Sequence, residues 1–351
     1  MFFKSVLFSV FLCSLNAENI CFENVTVHGY SVFNHKFDKV ITSSKISKTE
    51  LPNVAFDAIE LKNENVPILY ENCISDIESL DELILEKNGI QEIRAGALRN
   101  LPAIRIIKLG QNKLKTIVTG VFNNLQVSDV DLSKNEIEVI EDTAFNDMPE
   151  LLSIKLTDNK LTKWNKNWFL NTPLLNRLSF QHNLIEELPA EAFTNLKGKK
   201  KFGRLSLDVN LIFSYNKIKT LHPDTFKDIK DINNLWLDNN LIEEIPENIF
   251  TDVSIRQLRI SSNKLTCIKE KDSLLKAEMN EIDANPFDCE CLEDIKTWAK
   301  GKNKTIDTFY ASMNCYSNKM DRKMKNLEDM LKKMKEEEKL FQQALKVYKQ
   351  K

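Results

Sequence analysis

The chain reads as an α/β solenoid. Stacked repeats form a horseshoe with short parallel strands on its concave face, disulfide-stapled caps close both ends, and an amphipathic helix follows. Three observations predict this. Eight asparagines, Asn88, Asn112, Asn135, Asn159, Asn183, Asn216, Asn240 and Asn263, recur at nearly constant spacing. The cysteines of the mature chain gather at the two ends of that array and leave its middle bare. Beyond the last cysteine, apolar residues return every three or four positions.

Each asparagine stands in the same frame. Leu80, Leu83 and Leu85 precede Asn88 and Ile90 follows it; Ile104, Ile107 and Leu109 precede Asn112, and Leu114 follows. Ile232, Leu235 and Leu237 precede Asn240, and Ile242 follows. Most intervals are about 24 residues and the pattern is L-x-x-L-x-L-x-x-N-x-L, both within the leucine-rich repeat range. Apolar and polar residues alternate at the second and third apolar positions, so each repeat contributes one short strand. The asparagine amide carries donors and an acceptor. Just after the strand it can satisfy the turning backbone of its own repeat and the next, where each unpaired amide costs about 1–3 kcal/mol. A second apolar set, such as Ile137, Ile140 and Phe145, or Ile218, Leu221 and Phe226, fills the outer layer. Phe122, Phe145, Phe169, Phe193, Phe226 and Phe250 recur in register, which predicts a stacked spine.

The array spans 53–284. Its first repeat is degenerate: Phe56, Ile59, Leu61 and Val66 are in frame, but Glu64 stands in the asparagine place. Between Asn183 and Asn216 the interval lengthens to about 33 residues, beyond the usual repeat. Leu205, Leu207 and Asn210 mimic part of a frame there. An insertion near 197–209, on the edge or back of the horseshoe, therefore carries Lys197, Lys199, Lys200 and Lys201. It is either a solvated loop or a contact for an acidic surface.

Residues 1–17 read as a secretory signal, with Lys4 basic, Val6 to Leu15 apolar and Ala17 at the cleavage position. No later stretch approaches the ~18 apolar residues of a membrane span, and the charged C-terminus is no lipid-anchor tail. The reading is a secreted, extracellular protein. Residues 18–52 alternate without the repeat (Phe22, Val25 and Val27; Val32 and Phe33; Val40 and Ile41), which predicts a β-rich N-terminal cap. Cys13 leaves with the signal. Cys21, Cys73, Cys267, Cys289, Cys291 and Cys315 remain, an even set that fits stapled caps in an oxidising compartment. A Cys21–Cys73 bridge would pin the first cap to the array. A metal site at Cys289-x-Cys291 is disfavoured, because no histidine lies nearby and zinc ligands are spaced more widely. Two sequons, Asn24-Val25-Thr26 and Asn303-Lys304-Thr305, are candidate glycosylation sites.

The run Asn285-Pro286-Phe287-Asp288-Cys289-Glu290-Cys291-Leu292, followed by Trp298 and Cys315, closely resembles the cysteine-flanked C-terminal cap of extracellular leucine-rich repeat proteins. The resemblance covers 285–315 of a cap placed at 285–317, and implies a Cys289–Cys315 bridge. That family has a fourth cysteine, which is missing here. Cys291 must pair elsewhere, either with Cys267, the one unassigned cysteine of the chain, or with another polypeptide.

In 318–351, Met320, Leu327, Met334, Phe341 and Tyr348 recur every seventh residue, and Met324, Leu331 and Leu345 fill the alternate row, which Glu338 breaks. Together with abundant Lys and Glu and no Gly or Pro, this predicts an amphipathic helix able to form a coiled coil over 320–348. Such a helix would pair the protein with itself or with a related chain; a helix folded back on the solenoid, or a loosely ordered tail, is the alternative.

The formal net charge of −2 argues against a nucleic-acid partner. No Ser/His/Asp set, metal cluster or Gly-rich phosphate loop is present, and His28, His35, His182 and His222 are scattered. The expected function is non-catalytic, with no cofactor and no metal, and the partner class is a protein gripped on the concave face. Residues between the two strand leucines point outward by alternation: Ile84, Lys108, Asp131, Lys155, Ser179, Ile212, Trp236 and Arg259. The candidate ligand-binding residues are Lys108, Asp131, Lys155, Arg177, Ile212, Tyr215, Trp236 and Arg259, with Trp236 read as exposed beside Ile212. The order of signal, sparse-cysteine cap, repeats, cysteine cap and helix is similar to the secreted leucine-rich immune proteins of insects. This resemblance implies pairing through the C-terminal region and capture of complement-like or pathogen-derived ligands. An extracellular matrix or cell-adhesion protein is the alternative reading.

Overall fold

A computed structural model of the chain describes residues 20–31, 33, 35–196, 200–202 and 205–349. The signal reading at 1–17, together with Val32, Lys197, Lys199 and the last two residues of the tail, lies outside the described residues. A 12-stranded sheet runs the length of the array. Its repeat strands, from Ala58–Glu60 through Glu82–Ile84, Ile106–Lys108, Asp129–Asp131, Ser153–Lys155, Arg177–Ser179, Val209–Ile212, Asp231–Trp236 and Ser254–Arg259 to Met279–Glu281, are all parallel. Each strand buries its middle residue, such as Leu83, Ile107, Val130, Ile154 and Leu178, in one continuous core. Two-residue strands such as Thr116–Ile117 and Val139–Ile140 pair on the outer side.

The asparagine ladder holds the turns. Asn159 Nδ2 donates to Leu132 O at 3.0 Å, Leu156 O at 3.1 Å and Thr157 O at 3.4 Å, and its Oδ1 accepts from Ile137 N at 2.9 Å. Asn135, Asn183, Asn216, Asn240 and Asn263 bond likewise. Asn285 is a ninth rung: its Nδ2 donates to Ile260 O and Ile282 O, and its Oδ1 accepts from Asn263 N. The cap motif thus overlaps the array. At the other end, Glu64 has no rung of its own. Its backbone N–H donates to Asn88 Oδ1, and its carboxylate accepts from Thr26 N at 2.9 Å. Immediately before each of the nine asparagines stands a residue with positive φ: Lys87, Gln111, Lys134, Asp158, His182, Tyr215, Asn239, Ser262 and Ala284.

The phenylalanine spine is interrupted once. Phe122, Phe145 and Phe169 stack at 5.6 Å, and Phe193, Phe226 and Phe250 at 5.6 and 5.2 Å. Between the two stacks sits Trp164, 5.9 Å from Phe169 and 5.1 Å from Phe193, with Phe180 and Phe213 also against it. Its indole N–H donates to Ala192 O. The longer repeat beside it feeds an antiparallel hairpin, Lys200–Phe202 with Leu205–Leu207, which leads directly into the strand Val209–Ile212.

The N-terminal cap is a hairpin, β1 (Val25–Tyr30) and β2 (Lys36–Ile41), which extends the sheet antiparallel to Ala58–Glu60. Val25, Val27 and Ile41 face the core, whereas Phe33 and Val40 are exposed. Cys21 is bonded to Cys73. Tyr30 Oη donates to Glu60 at 2.7 Å, and this bond pushes the phenol up to about 12. A raised phenol stabilises the fold below its unfolded value of about 10, and that contribution is lost as pH rises through about 12. In an alkaline titration followed by phenolate absorbance, Tyr30→Phe is expected to remove the last tyrosine step. If the step survives in the variant, the phenol is not held by Glu60.

At the C-terminus Cys267 is bonded to Cys291, and Cys289 to Cys315. Cys291 therefore has its partner inside the chain. The cap helix spans Cys289–Gly301, and the tail helix spans Phe309–Lys349. The tail helix begins ahead of the boundary predicted near 318 and contains Cys315. The start is capped twice: Asp307 accepts locally from Phe309 N at 3.0 Å, and the Asp283 carboxylate, in the last array turn, accepts from Tyr310 N at 3.0 Å and Ala311 N at 2.9 Å.

Candidate functional site

Alternation puts two rows of side chains on the concave face, from the first and third positions of each strand. Lys108, Asp131, Lys155, Ser179, Ile212, Trp236 and Arg259 follow one another across neighbouring strands in the third-position row. The row divides into two chemically different halves.

In the N-terminal half the charges are paired within the face. Lys108 Nζ lies 2.6 Å from Glu82, and Lys155 Nζ lies 3.5 Å from Asp131. The hydrogen bond to Glu82 holds the Lys108 ammonium above its ordinary range, with Glu86 and Asp131 adding to the effect. Asp131 also accepts from Ser133 N. Lys108, Asp131 and Lys155 thus form one partly shielded network, in which exposed pairs are worth about 0–1 kcal/mol each.

The C-terminal half is built around Trp236. The Arg259 guanidinium sits over the indole, 4.2 Å from the ring centroid. Its Nε donates to Glu281 at 3.0 Å, and Gln257 Nε2 donates to the same carboxylate oxygen. Two observations correct the sequence reading. Trp236 is half-buried, and its Nε1 is a buried donor without a partner among the described residues. Ile212 is only 7 % exposed, so it is not a contact residue. It lies in register between Ser179 and Trp236. At an inter-strand spacing of about 4.8 Å its neighbours cover it. Ile212 is therefore the support of the Trp236 position.

Tyr215 lies in the turn after its strand, at the lip of the concave face, and is 50 % exposed. It stacks on His182 of the preceding repeat, with ring centroids 4.4 Å apart and planes 13° apart. Arg177 comes from the first-position row, is exposed, and makes no ion pair among the described residues. The structure therefore brings Trp236 and Arg259 together, seats Tyr215 with His182, and leaves Arg177 between the two halves.

Sequence reasoning missed most of the first-position row. Asn210 Oδ1 accepts from Asn234 Nδ2 at 2.7 Å and from Asn233 Nδ2 at 3.1 Å, making an amide cluster beside Gln257. Strict alternation was the signal for it: in this frame each residue two before an outward one also faces outward. A shallow groove of about 640 Å³ borders this cluster at the strand starts, lined by Lys230, Asn233, Ser254, Arg256, Lys276 and Glu278 among others.

The repeat region matches two family models, the BspA type Leucine rich repeat region in six copies over residues 67–200 and Leucine rich repeat over residues 209–265. The chain is a leucine-rich repeat protein. Over 134 residues it is 30 % identical to P-granule-associated novel protein 1 of Caenorhabditis elegans, covering 37 % of this chain and 22 % of the relative. Over 125 residues it is 30 % identical to Mimecan of Bos taurus, covering 31 % of this chain and 40 % of Mimecan. The chain thus spans less than half the length of these relatives. Among solved structures, a chain of the octameric complex of Latrophilin 3, Unc5D and FLRT2 superposes with a TM-score of 0.54 at 18 % identity, over 76 % of this chain and 87 % of that one. A chain of the Drosophila Toll–Spatzle complex gives 0.54 at 19 %, over 71 % of this chain and 36 % of that one. These two likenesses show the shared fold. Among the described residues, no helix is long and apolar enough to cross a membrane.

Proposed function

We propose that this leucine-rich repeat protein is a secreted, non-catalytic binding module of innate immunity that captures a protein ligand on the C-terminal half of its concave face. The observation that carries the reading is the Trp236–Arg259 pair, held by Glu281 and flanked on the lip by Tyr215. Trp, Tyr and Arg dominate binding hot spots, where truncation costs about 2 kcal/mol or more. A cation stacked on an indole and fixed by a carboxylate is ordered before any partner arrives, which lowers the entropic cost of binding. The three intrachain disulfides support an extracellular setting, where Asn24 and Asn303, both exposed in the caps, would carry glycans. The tail helix supports pairing with a second chain through 320–348.

Trp236→Ala with Arg259→Ala is expected to weaken capture of the ligand at least tenfold in a pull-down from native fluid, with only a modest fall in melting temperature, since Trp236 is half-buried. Undiminished capture would move the site elsewhere, with the Lys199–Lys201 loop the next candidate. A large fall in melting temperature would make the pair structural. Induction of expression by infection supports the immune role; constitutive expression in matrix-rich tissue supports the matrix or adhesion alternative.

A further inference from the structure

The tail helix is a rod of 41 residues, about 60 Å long at 1.5 Å per residue. Its apolar seam continues on the N-terminal side of the predicted heptads. With Tyr310, Ser317, Met324, Leu331, Glu338 and Leu345 at a, the d positions are Met313, Met320, Leu327, Met334 and Phe341. Met313, Met320, Met324, Leu327, Leu331, Met334 and Phe341 are each 46–63 % exposed. The two residues that the first turns bury, Ala311 and Cys315, fall at b and f, on the opposite side. The Asp283 cap and the Cys289–Cys315 bridge therefore anchor the back of the helix and leave its seam bare. A bare seam of this length is an interaction surface.

We infer that the occupant is a second copy of this chain, with the two tail helices running antiparallel about a two-fold axis between Leu327 and Leu331. This rests on the pairing reading above and adds the identity of the partner and its direction. The two directions place different residues face to face. In a parallel, in-register pair, like positions meet. Glu338 then faces its own copy inside the seam, where two carboxylates repel and neither has a counter-ion. Ser317 also faces Ser317, and Phe341 faces Phe341, so one layer is underfilled and another overfilled. The flanking g-to-e contacts give one kind of ion pair, Lys323 with Glu328, and the rest are neutral.

The antiparallel pair matches unlike positions. Its layers are Met313 with Leu345, Ser317 with Phe341, Met320 with Glu338, Met324 with Met334, and Leu327 with Leu331, each occurring twice by symmetry. Ser317, the smallest seam residue, meets the bulky Phe341, as close packing requires, and Glu338 lies against the flexible Met320 near the end of the seam. Flanking contacts are now e-to-e and g-to-g. They set Asp321 against Lys335 and Lys323 against Glu337, two kinds of ion pair, with Met330 against Met330 at the axis. One like-charged contact remains, Glu328 with its copy. Sliding the register by one heptad one way sets Asp321 against Glu328; sliding it the other way leaves only the Glu328–Lys335 contact. Flanking charges set partner and orientation in such seams, and here they select this register.

The test uses the full mature chain with its native disulfides. Lys335→Glu turns both Asp321–Lys335 contacts repulsive and is expected to weaken the dimer about tenfold in sedimentation. Adding Asp321→Lys restores the pair and should restore the dimer. In a parallel pair Lys335 faces Met330, so neither change matters. Met330→Cys should give a covalent dimer on a non-reducing gel, and Leu345→Cys should not, because its two copies lie at opposite ends of the rod. A covalent dimer through Leu345→Cys together with insensitivity to Lys335→Glu would overturn the direction while leaving pairing intact. A monomer at all concentrations would remove both the direction and the pairing on which it rests.

Discussion

Asn159→Asp is expected to destabilise the protein by about 3 kcal/mol, as much as Asn159→Ala, although aspartate has the shape of asparagine. The amide nitrogen of Asn159 donates to Leu132 O, Leu156 O and Thr157 O. A carboxylate keeps the acceptor for Ile137 N but has no hydrogen to donate. Leu132 O, Leu156 O and Thr157 O each keep a second donor, in Asn135 Nδ2, Asn183 Nδ2 and Lys134 N, so the loss is three hydrogen bonds at about 0.5–1.5 kcal/mol each, with a carboxylate oxygen now set against carbonyl oxygens. Urea unfolding at neutral pH measures the loss. If Asn159→Asp keeps more than half the stability that Asn159→Ala gives up, the ladder works mainly through its acceptor, and the donor bonds described here contribute little.

Trp164→Ala should cost about 4 kcal/mol, within the range for emptying a large aromatic site, and should also divide the unfolding. Trp164 joins the stack of Phe122, Phe145 and Phe169 to that of Phe193, Phe226 and Phe250, and touches Phe180 and Phe213. A solenoid is stabilised by contacts between neighbouring repeats, so weakening one junction uncouples the two sides. Calorimetry is expected to show two transitions in place of one, and Trp164→Phe to restore most of the coupling. A single transition shifted by less than about 1 kcal/mol would mean that the flanking leucines carry the junction, since a cavity at this site should cost more.

The ladder and the strands were legible because they repeat: a residue recurring in one frame must meet the same backbone need each time. What departs from the repeat was harder to see. Asn285 belongs to the ladder but stands within the cap motif, and the cap cysteines drew it away from the array. The break in the spine had a signal in Phe180 and Phe213, which occupy the place of a strand leucine and mark a wider core around Trp164. The start of the tail helix had a local signal in Asp307, whose carboxylate accepts from Phe309 N, but the second cap, Asp283, comes from another element. At the site, alternation gave the direction of Ile212, but its exposure depends on Trp236 one strand away. The stacking of Arg259 on Trp236 likewise needs the register between strands, which a single repeat does not contain.

The nine positive-φ turns have a consequence for how the surface of this protein can change. Lys87, Gln111, Lys134, Asp158, His182, Tyr215, Asn239, Ser262 and Ala284 share one backbone shape, with φ from 53° to 59°, yet they include cationic, anionic, amide, aromatic and methyl side chains. A left-handed residue with a Cβ is disfavoured by about 1–2 kcal/mol, less for Asn and Asp and more for a side chain branched at Cβ, and none of the nine is so branched. The turn therefore constrains the main chain and excludes β-branched side chains while leaving the rest open. Along the rim, sequence can drift among unbranched side chains at little cost in foldability. New chemistry can be written there while the asparagine next door keeps the architecture fixed.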